Sequence, residues 1–159
     1  MLLPVLLLTL SAQTYEVHRA PSKIVVDGKP DDAAWQKAAT TDLQFPWDQP
    51  GAKQKTIVRL LWDNDYLYAL YDCDDADVVA HFDQRDDPTY RDDAVELFLN
   101  PNPKQSFYFG LEMNAKGTLY DYFYAWPQLL LKRIDFTGVL LATHIRGTLN
   151  STGDQDKGW

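Results

Sequence analysis

Residues 56–72 read TIVRLLWDNDYLYALYD, and this stretch decides the fold class. Apolar side chains recur at about every second position on both sides of Asp63-Asn64-Asp65, the pattern of strands with one buried face. Short polar side chains such as these three hydrogen-bond their own backbone, which favours a turn. The stretch therefore predicts two antiparallel strands, residues 56–62 and 66–72, joined as a β-hairpin.

The same period-two pattern recurs further along the chain. Residues 93–99 predict a strand that ends before Pro101 and Pro103, because proline cannot donate a ladder hydrogen bond. Residues 106–114 and 118–125 predict a second hairpin closed by residues 115–117, and residues 139–147 predict a further strand. Short strands separated by turn residues are typical of an all-β fold, here a two-sheet antiparallel β-sandwich of jelly-roll or immunoglobulin-like type.

One segment favours a helix. Residues 31–38 follow Pro30 and begin with two aspartates before good helix formers, which predicts one short helix. We expect Trp35 in this segment and Trp62 at the end of the first hairpin strand to lie in the core.

Composition narrows the class of partner. The 159 residues carry a net charge of −8, so the protein repels a phosphate backbone, and nucleic acid is excluded as a partner. The only cysteine, Cys73, lies in an apolar run and predicts a buried thiol. There is no intrachain disulfide and no zinc-binding pattern of cysteine and histidine.

The two ends of the chain predict export and an incomplete sandwich. Residues 1–14 begin with the apolar run MLLPVLLLTL, as in a signal peptide, which leaves residues 15–159 as the domain. No other apolar run reaches the ~18 residues of a membrane span. We therefore expect a secreted, periplasmic or cell-surface protein without a membrane span after signal removal. The chain stops after a polar loop, where a strand is expected to begin, so we expect the last strand or strands to be missing.

Five blocks in order carry a family resemblance: IVVDGKPDDAAW (24–35), LWDNDYLY (61–68), DDAVELFL (92–99), EMNAKGT (112–118), and GTLN (147–150) leading to Gly158-Trp159. In these blocks the chain resembles the family 9 carbohydrate-binding modules. The resemblance implies a two-sheet sandwich that binds a poly- or oligosaccharide between aromatic side chains without catalysing a reaction. It also implies an accessory role beside a fused or associated glycoside hydrolase in polysaccharide breakdown. Some such modules carry structural calcium.

Aromatic residues in loops and at strand ends are the candidates for sugar contact, since a pyranose needs an apolar platform and nearby hydrogen-bonding groups. Trp47 lies in a Pro/Gly-bounded loop, and Trp126 follows a predicted strand; each could instead cap the core. Tyr122 and Tyr124 share a strand face that leads towards Trp126, although plain sheet packing would give the same pattern. Arg91 is a candidate for hydrogen bonds to sugar hydroxyls, or for pairing with Asp92.

Acidic clusters suggest a calcium site. Calcium takes six to eight oxygen ligands, many of them from carboxylates. The candidate ligands are Asp72, Asp74, Asp75, Asp92 and Asp93. The alternative is that these residues form solvated acidic turns.

The sequence is also compared with the requirements of three other functions: glycoside hydrolysis, haem binding and a structural or docking role. Glycoside hydrolysis would need two facing carboxyl groups, and the odd spacing of Asp93 and Glu96 puts them on opposite strand faces. A haem-binding sandwich would use Met113 and His144 as axial ligands. A structural or docking domain would keep the scaffold without binding sugar.

Overall fold

The computed structural model describes residues 14–43, 54–125 and 130–159, with the side chains of all of these except 130–133. In this part of the chain almost all regular structure is strand. The strands are β1 (His18–Arg19), β2 (Thr41–Asp42), β3 (Thr56–Trp62), β4 (Leu67–Cys73), β5 (Ala94–Leu99), β6 (Phe107–Asn114), β7 (Leu119–Ala125) and β8 (Leu130–Arg133); the 3₁₀ helices are η1 (Ala33–Lys37) and η2 (Thr89–Arg91). The prediction of an all-β sandwich is confirmed, and η1 is the predicted short helix.

The first sheet, sheet A, is built on β3. Strand β4 pairs with β3 in antiparallel fashion along its whole length, while β1 and β2 pair with the other edge of β3. In the turn between β3 and β4, Oδ1 of Asp63 accepts hydrogen bonds from the backbone N–H groups of Asp65 and Tyr66. The hairpin predicted from residues 56–72 is confirmed, together with the side-chain hydrogen bonds that favour its turn.

The second sheet, sheet B, is an antiparallel meander in the order β5-β6-β7-β8. The predicted β6–β7 hairpin is confirmed. Its turn is held by Oδ1 of Asn114, which accepts hydrogen bonds from the backbone N–H groups of Lys116 and Thr118. Gly117 follows with φ of +85°, a conformation that favours glycine. Strand β8, which pairs with β7, was not predicted.

Two apolar clusters form the core. In the first, Trp35 of η1 is 6% exposed and packs with Ile24, Ala34 and Leu61, so that η1 is held to sheet A. In the second, buried Cys73 at the end of β4 lies in a cluster against which Val95 and Met113 of sheet B pack. The burial predicted for Trp35 and Cys73 is confirmed.

The prediction that Trp62 lies in the core is wrong. Its side chain is 42% exposed, because it sits at the last position of β3, beyond the cluster around Trp35. The indole Nε1 donates a hydrogen bond to the carbonyl of Val17 at 3.2 Å, and the guanidinium of Arg19 lies 5.7 Å from the centre of the ring. Trp62 therefore fixes the N-terminal segment to the edge of sheet A.

The prediction of a strand over residues 139–147 is also wrong. This segment forms no strand, and its apolar residues 139–142 line an apolar groove beside β4 instead. Its close approach to Gly28 leaves no room for a Cβ there, because that atom would lie 2.5 Å from the carbonyl carbon of Thr143. Of the apolar residues in this segment, Ile145 packs on the cluster around Cys73, whereas Leu140 and Leu141 are exposed.

The C-terminal residue lies beside β4. The backbone of Trp159 donates a hydrogen bond to Cys73 and accepts one in return, at 3.0 and 2.9 Å, as paired residues of antiparallel strands do. No other strand among the described residues pairs with this edge of β4. The expectation of a missing strand stays a prediction.

A buried polar network holds the irregular segment between β4 and β5 against sheet B. Oδ2 of Asp92 accepts hydrogen bonds from the backbone N–H groups of His81 and Phe82 and from the side-chain amide of Asn114. The same amide donates to the carbonyl of Phe82. Asn114 is fully buried. Burial alone would raise the pKa of Asp92, but these hydrogen bonds outweigh it and hold the pKa below its usual value.

Helix η2 is seated on sheet B by a second buried contact. The hydroxyl of Thr89 donates a hydrogen bond to the carboxyl group of Glu112 on β6, and both residues are buried. Burial raises the pKa of Glu112, and the nearby carboxyl group of Glu96 raises it further, while the hydrogen bond from Thr89 lowers it.

Replacing Asn114 by alanine should destabilise the domain strongly. The change leaves the buried backbone N–H of Thr118 without its acceptor, at about 1–3 kcal/mol, and removes one of the two hydrogen bonds to the carbonyl of Phe82 and one of those to Asp92. We expect the free energy of unfolding, measured by urea denaturation, to fall by at least about 2 kcal/mol. The matched control is Asn102→Ala in an exposed turn, which should change it by less than about 1 kcal/mol. Equal losses in the two variants would contradict the role given to Asn114.

Replacing Glu112 by glutamine should make stability less sensitive to pH. The native state holds the proton of Glu112 more tightly than the unfolded chain does. The stability contributed by this group is therefore complete below the ordinary pKa of 4.5 and is lost as the pH rises through the raised native pKa. We expect the Tm of Glu112→Gln, relative to the unsubstituted chain, to increase as the pH rises towards neutrality. The exposed Glu16→Gln should show no such trend, and a constant Tm difference for Glu112→Gln would refute the assignment.

Candidate functional site

Sheet B has two chemically different faces, because side chains alternate along each strand. The inner face points to sheet A, as shown by Val95 and Met113, which pack on the cluster around Cys73. The opposite, outer face carries the alternate side chains, which strand pairing arranges in three rows. The rows are Glu96, Glu112 and Tyr120; Phe98, Gly110 and Tyr122; and Tyr108 and Tyr124. The outer face thus combines four tyrosines, one phenylalanine and two carboxylates on three adjacent strands.

The aromatic rings of the outer face form one continuous set of contacts. The ring of Tyr122 lies 5.5 Å from that of Tyr120 and 6.2 Å from that of Tyr108. Tyr108 in turn lies 5.0 Å from Tyr124 and 5.2 Å from Phe98. Ring centroids at these separations are in the range of favourable aromatic pairing.

Glycine at position 110 allows Tyr122 to lie flat across the sheet. A Cβ atom at Gly110 would overlap the Tyr122 ring, so no other residue fits beneath it without displacing the ring. From this position the Tyr122 hydroxyl donates a hydrogen bond of 2.6 Å to Oε1 of Glu96 on β5. Burial, and then this hydrogen bond, raise the pKa of Tyr122, so the phenol stays protonated and keeps the Glu96 carboxylate in place.

Helix η2 adds one more aromatic ring at the Glu112 end of the outer face. Tyr90 is 63% exposed, and its ring meets Tyr120 edge-on at 6.2 Å. It is held there because its neighbour Thr89 is bonded to Glu112. Tyr90 is therefore an exposed ring at a position set by η2, with one edge contact to Tyr120.

The structure describes three of the five predicted sugar-contact residues, and their role in sugar contact stays a prediction. Tyr122 and Tyr124 lie together on the outer face, as their spacing predicted, but Tyr122 is only 7% exposed and its hydroxyl is bonded to Glu96, whereas Tyr124 is half-buried. Arg91 is exposed beside Tyr90, but its guanidinium rests over the ring of Phe82, 5.9 Å from the ring centre, and the alternative of pairing with Asp92 is not seen. Trp47 and Trp126 lie outside the described residues.

Four further residues of this face were not predicted from the sequence: Tyr90, Glu96, Phe98 and Tyr108. Alternation along residues 94–99 does place Glu96 and Phe98 on one side of a strand. Which side would be exposed, and which strands would lie beside it, depended on sheet order.

The five aspartates predicted to bind calcium do not converge. Asp72 forms an ion pair with Arg146 at 2.9 Å, and Asp92 is occupied by the network around Asn114. Burial raises the pKa of Asp93, and the nearby carboxyl group of Asp75 raises it further, while Asp74 is exposed. Within the described residues no group of three or more His, Cys, Asp or Glu side chains is arranged to hold a metal. These five residues therefore do not form one shared site. Calcium binding itself stays a prediction.

The described residues give no support to haem binding or to a catalytic pair. Met113 packs against the inter-sheet core, and the cavity that it lines with His144 has a volume of about 50 Å³, far too small for a porphyrin. Asp93 accepts a hydrogen bond from the backbone N–H of Val79, whereas Glu96 points to the outer face. These two carboxylates therefore do not face each other.

The apolar groove beside β4 has a volume of about 250 Å³ and lies on the inner side of sheet B. Its lining is largely aliphatic and includes Leu70, Leu111 and Val139. A sugar buried there would lose hydrogen bonds between its hydroxyls and water without replacement, which is costly. The outer face instead offers aromatic rings and the carboxylate of Glu96 on one surface.

No helix in the part of the chain that the structure describes is long and apolar enough to cross a membrane. The predicted signal peptide, residues 1–14, lies outside the described residues except for Thr14.

Comparison with known proteins agrees with the resemblance seen in the sequence. Endo-1,4-beta-xylanase C of Paenibacillus barcinonensis is 36% identical over 83 residues, and exoglucanase XynX of Acetivibrio thermocellus is 31% identical over 99 residues. These alignments cover 51% and 61% of this chain but only 7% and 8% of those proteins, so the chain spans less than a tenth of the length of these curated relatives. No solved structure matches the chain significantly.

A family match covers more than half of the chain. Residues 26–123 match the family described as "Carbohydrate family 9 binding domain-like", and this range contains β3 to β6 and most of β7, including the aromatic outer face up to Phe123. The chain therefore belongs to the carbohydrate family 9 binding domain-like family.

Proposed function

We propose that this chain is a non-catalytic module that binds carbohydrate on the outer face of sheet B. The observation that carries the proposal is the exposed ring of Tyr90 against Tyr120, in the same row of the outer face as the carboxylate of Glu96, which Tyr122 holds in place. A pyranose offers an apolar C–H face to an aromatic ring and hydroxyl donors to a carboxylate. Tyr90 supplies the platform and Glu96 the acceptor, and neither has to move to meet the ligand.

The relatives suggest the class of sugar. Their names describe a xylanase and an exoglucanase, and both proteins are far longer than the region that this chain matches. We therefore propose neutral β-linked glycans such as xylan or cellulose as ligands. The module would serve as an accessory to a fused or associated glycoside hydrolase, outside the cytoplasm. The net charge of −8 and the carboxylates of the outer face disfavour acidic polysaccharides by repulsion.

The remaining predicted contacts belong to this proposal. Arg91 stands next to Tyr90 and can donate to sugar hydroxyls at the margin of the face. Trp126 follows β7 directly after Tyr124 and Ala125, which favours it as a wall at the far end of the face. Trp47 is proposed as a second wall on the evidence of its loop sequence. The competing function is a docking domain that keeps the aromatic face for a protein partner.

Substitutions at Tyr90 and Glu96 should weaken sugar binding without unfolding the domain. We expect Tyr90→Ala to lower the affinity for xylohexaose or cellohexaose about tenfold through the loss of ring stacking. Glu96→Gln should lower it by a similar factor, because a charge-assisted hydrogen bond becomes a neutral one. Isothermal titration calorimetry measures both affinities.

The matched control for this experiment is Tyr66→Ala, since Tyr66 is an exposed tyrosine of similar accessibility in the turn of sheet A, away from the outer face. It should leave the affinity unchanged. If the unsubstituted chain bound no neutral glycan at all, the docking alternative would replace the sugar-binding proposal.

The tryptophans give a separate prediction. Trp47→Ala and Trp126→Ala should each reduce glycan affinity if these side chains form walls of the site. Quenching of tryptophan fluorescence by the bound glycan should be smaller in each variant than in the unsubstituted chain. Unchanged affinity together with a lowered Tm would assign the substituted tryptophan to the core.

A further inference from the structure

Glu96, the carboxylate of the proposed site, lies on a strand at the edge of sheet B. Strand β5 stands at the end of the sheet order, next to β6. The carbonyl of Asp93 accepts a hydrogen bond from the N–H of Ala115, so the hydrogen-bonded pairs of this ladder fall at every second residue from Asp93 onward. Glu96 is three residues beyond Asp93. Its backbone N–H and C=O groups therefore point away from β6, towards the open edge.

Tyr71 binds this edge carbonyl from the other sheet. Its hydroxyl donates a hydrogen bond of 3.2 Å to the carbonyl oxygen of Glu96. Tyr71 lies on β4 of sheet A and packs on the cluster around Cys73, so the bond joins the two sheets. Burial raises the pKa of Tyr71 to about 12, and the phenol therefore keeps its proton and remains a donor.

Glu96 is thus held at two points by two different tyrosines. The hydroxyl of Tyr122 binds the carboxylate on the outer face at 2.6 Å, and the hydroxyl of Tyr71 binds the main chain from which that side chain starts. A glutamate fixed at both points loses little freedom when a ligand binds, so less of the interaction energy is spent on ordering it.

We propose that Tyr71 is a positioning residue of the binding site, which fixes the edge strand where Glu96 meets the glycan. This inference rests on the proposed function for its effect on affinity. Tyr71 packs on the inter-sheet cluster and is not part of the outer face, so it makes no contact with the sugar. Packing between the two sheets thereby sets the geometry of a site on the far side of one of them.

A double-mutant cycle tests the route of this effect. Tyr71→Phe keeps the ring and removes only the donor, and it should lower the affinity for xylohexaose or cellohexaose about threefold, measured by calorimetry. In a Glu96→Ala background the same change should alter affinity less than about 1.5-fold, because the side chain that Tyr71 positions is gone. Equal losses in the two backgrounds would overturn the proposal, since Tyr71 would then act on stability alone.

Tyr68→Phe is the matched control. Tyr68 also lies on β4, and its hydroxyl donates a hydrogen bond to Asp63 within the hairpin of sheet A. The variant loses the same chemical group from the same strand without touching sheet B. It should leave glycan affinity unchanged, and a loss equal to that of Tyr71→Phe would contradict the proposal.

Amide hydrogen exchange without glycan separates this inference from the proposed function. The N–H groups of Val95 and Leu97 flank Glu96 and belong to hydrogen-bonded pairs with β6. They should exchange at least about threefold faster in Tyr71→Phe than in Tyr68→Phe, because the edge strand opens more easily. Equal exchange in the two variants would overturn the positioning role even if the chain binds glycans. Faster exchange in a chain that binds no glycan would confirm that Tyr71 fixes β5 and overturn the proposed function alone.

Discussion

The buried hydrogen bonds between Asp92, Asn114 and the backbone of residues 81–82 are the constraint on which the aromatic outer face depends. Residues 74–93 have little regular structure of their own, and their polar backbone groups must find partners where they are buried. Asp92 accepts hydrogen bonds from the N–H groups of His81 and Phe82, and Asn114, at the end of β6, donates to the carbonyl of Phe82 and to Asp92. Because the segment is held there, η2 sits on sheet B and Tyr90 stands at a fixed place beside Tyr120.

Two opposite requirements meet in sheet B. Its inner face packs against the cluster at the end of β4, while its outer face carries rings and carboxylates, of which Tyr120, Tyr122 and Glu112 are buried and Phe98 is exposed. Glu112 serves both requirements. Its burial raises its pKa, and its carboxyl group accepts the hydrogen bond from Thr89 that fixes η2. Gly110 resolves a second conflict, because only the absence of a side chain lets Tyr122 cross the sheet to reach Glu96. Packing and recognition thus share the same few residues.

The errors in the predictions have specific physical causes. Trp62 has the sequence context of a core residue, but it lies at the last position of its strand, where the core no longer covers it. Residues 139–147 have an apolar pattern that suits a strand, but they do not form one. Residues 139–142 line the apolar groove, and the backbone of the next two residues lies against Gly28. Calcium binding was predicted because the aspartates are clustered in sequence. In the structure Asp72 forms an ion pair with Arg146, and Asp92 accepts a hydrogen bond from Asn114.

The sequence by itself determined the class of fold, both hairpins, the burial of Trp35 and the membership of the family, because these depend on local periodicity, turn chemistry and ordered blocks of residues. It also placed Tyr122 and Tyr124 on one side of one strand. Only the tertiary structure decided that Tyr90, Glu96, Phe98 and Tyr108 share a face with them. The reason is that alternation assigns a residue to a side of its own strand, whereas sheet order, register and the seating of η2 decide which strands lie together and which side faces solvent.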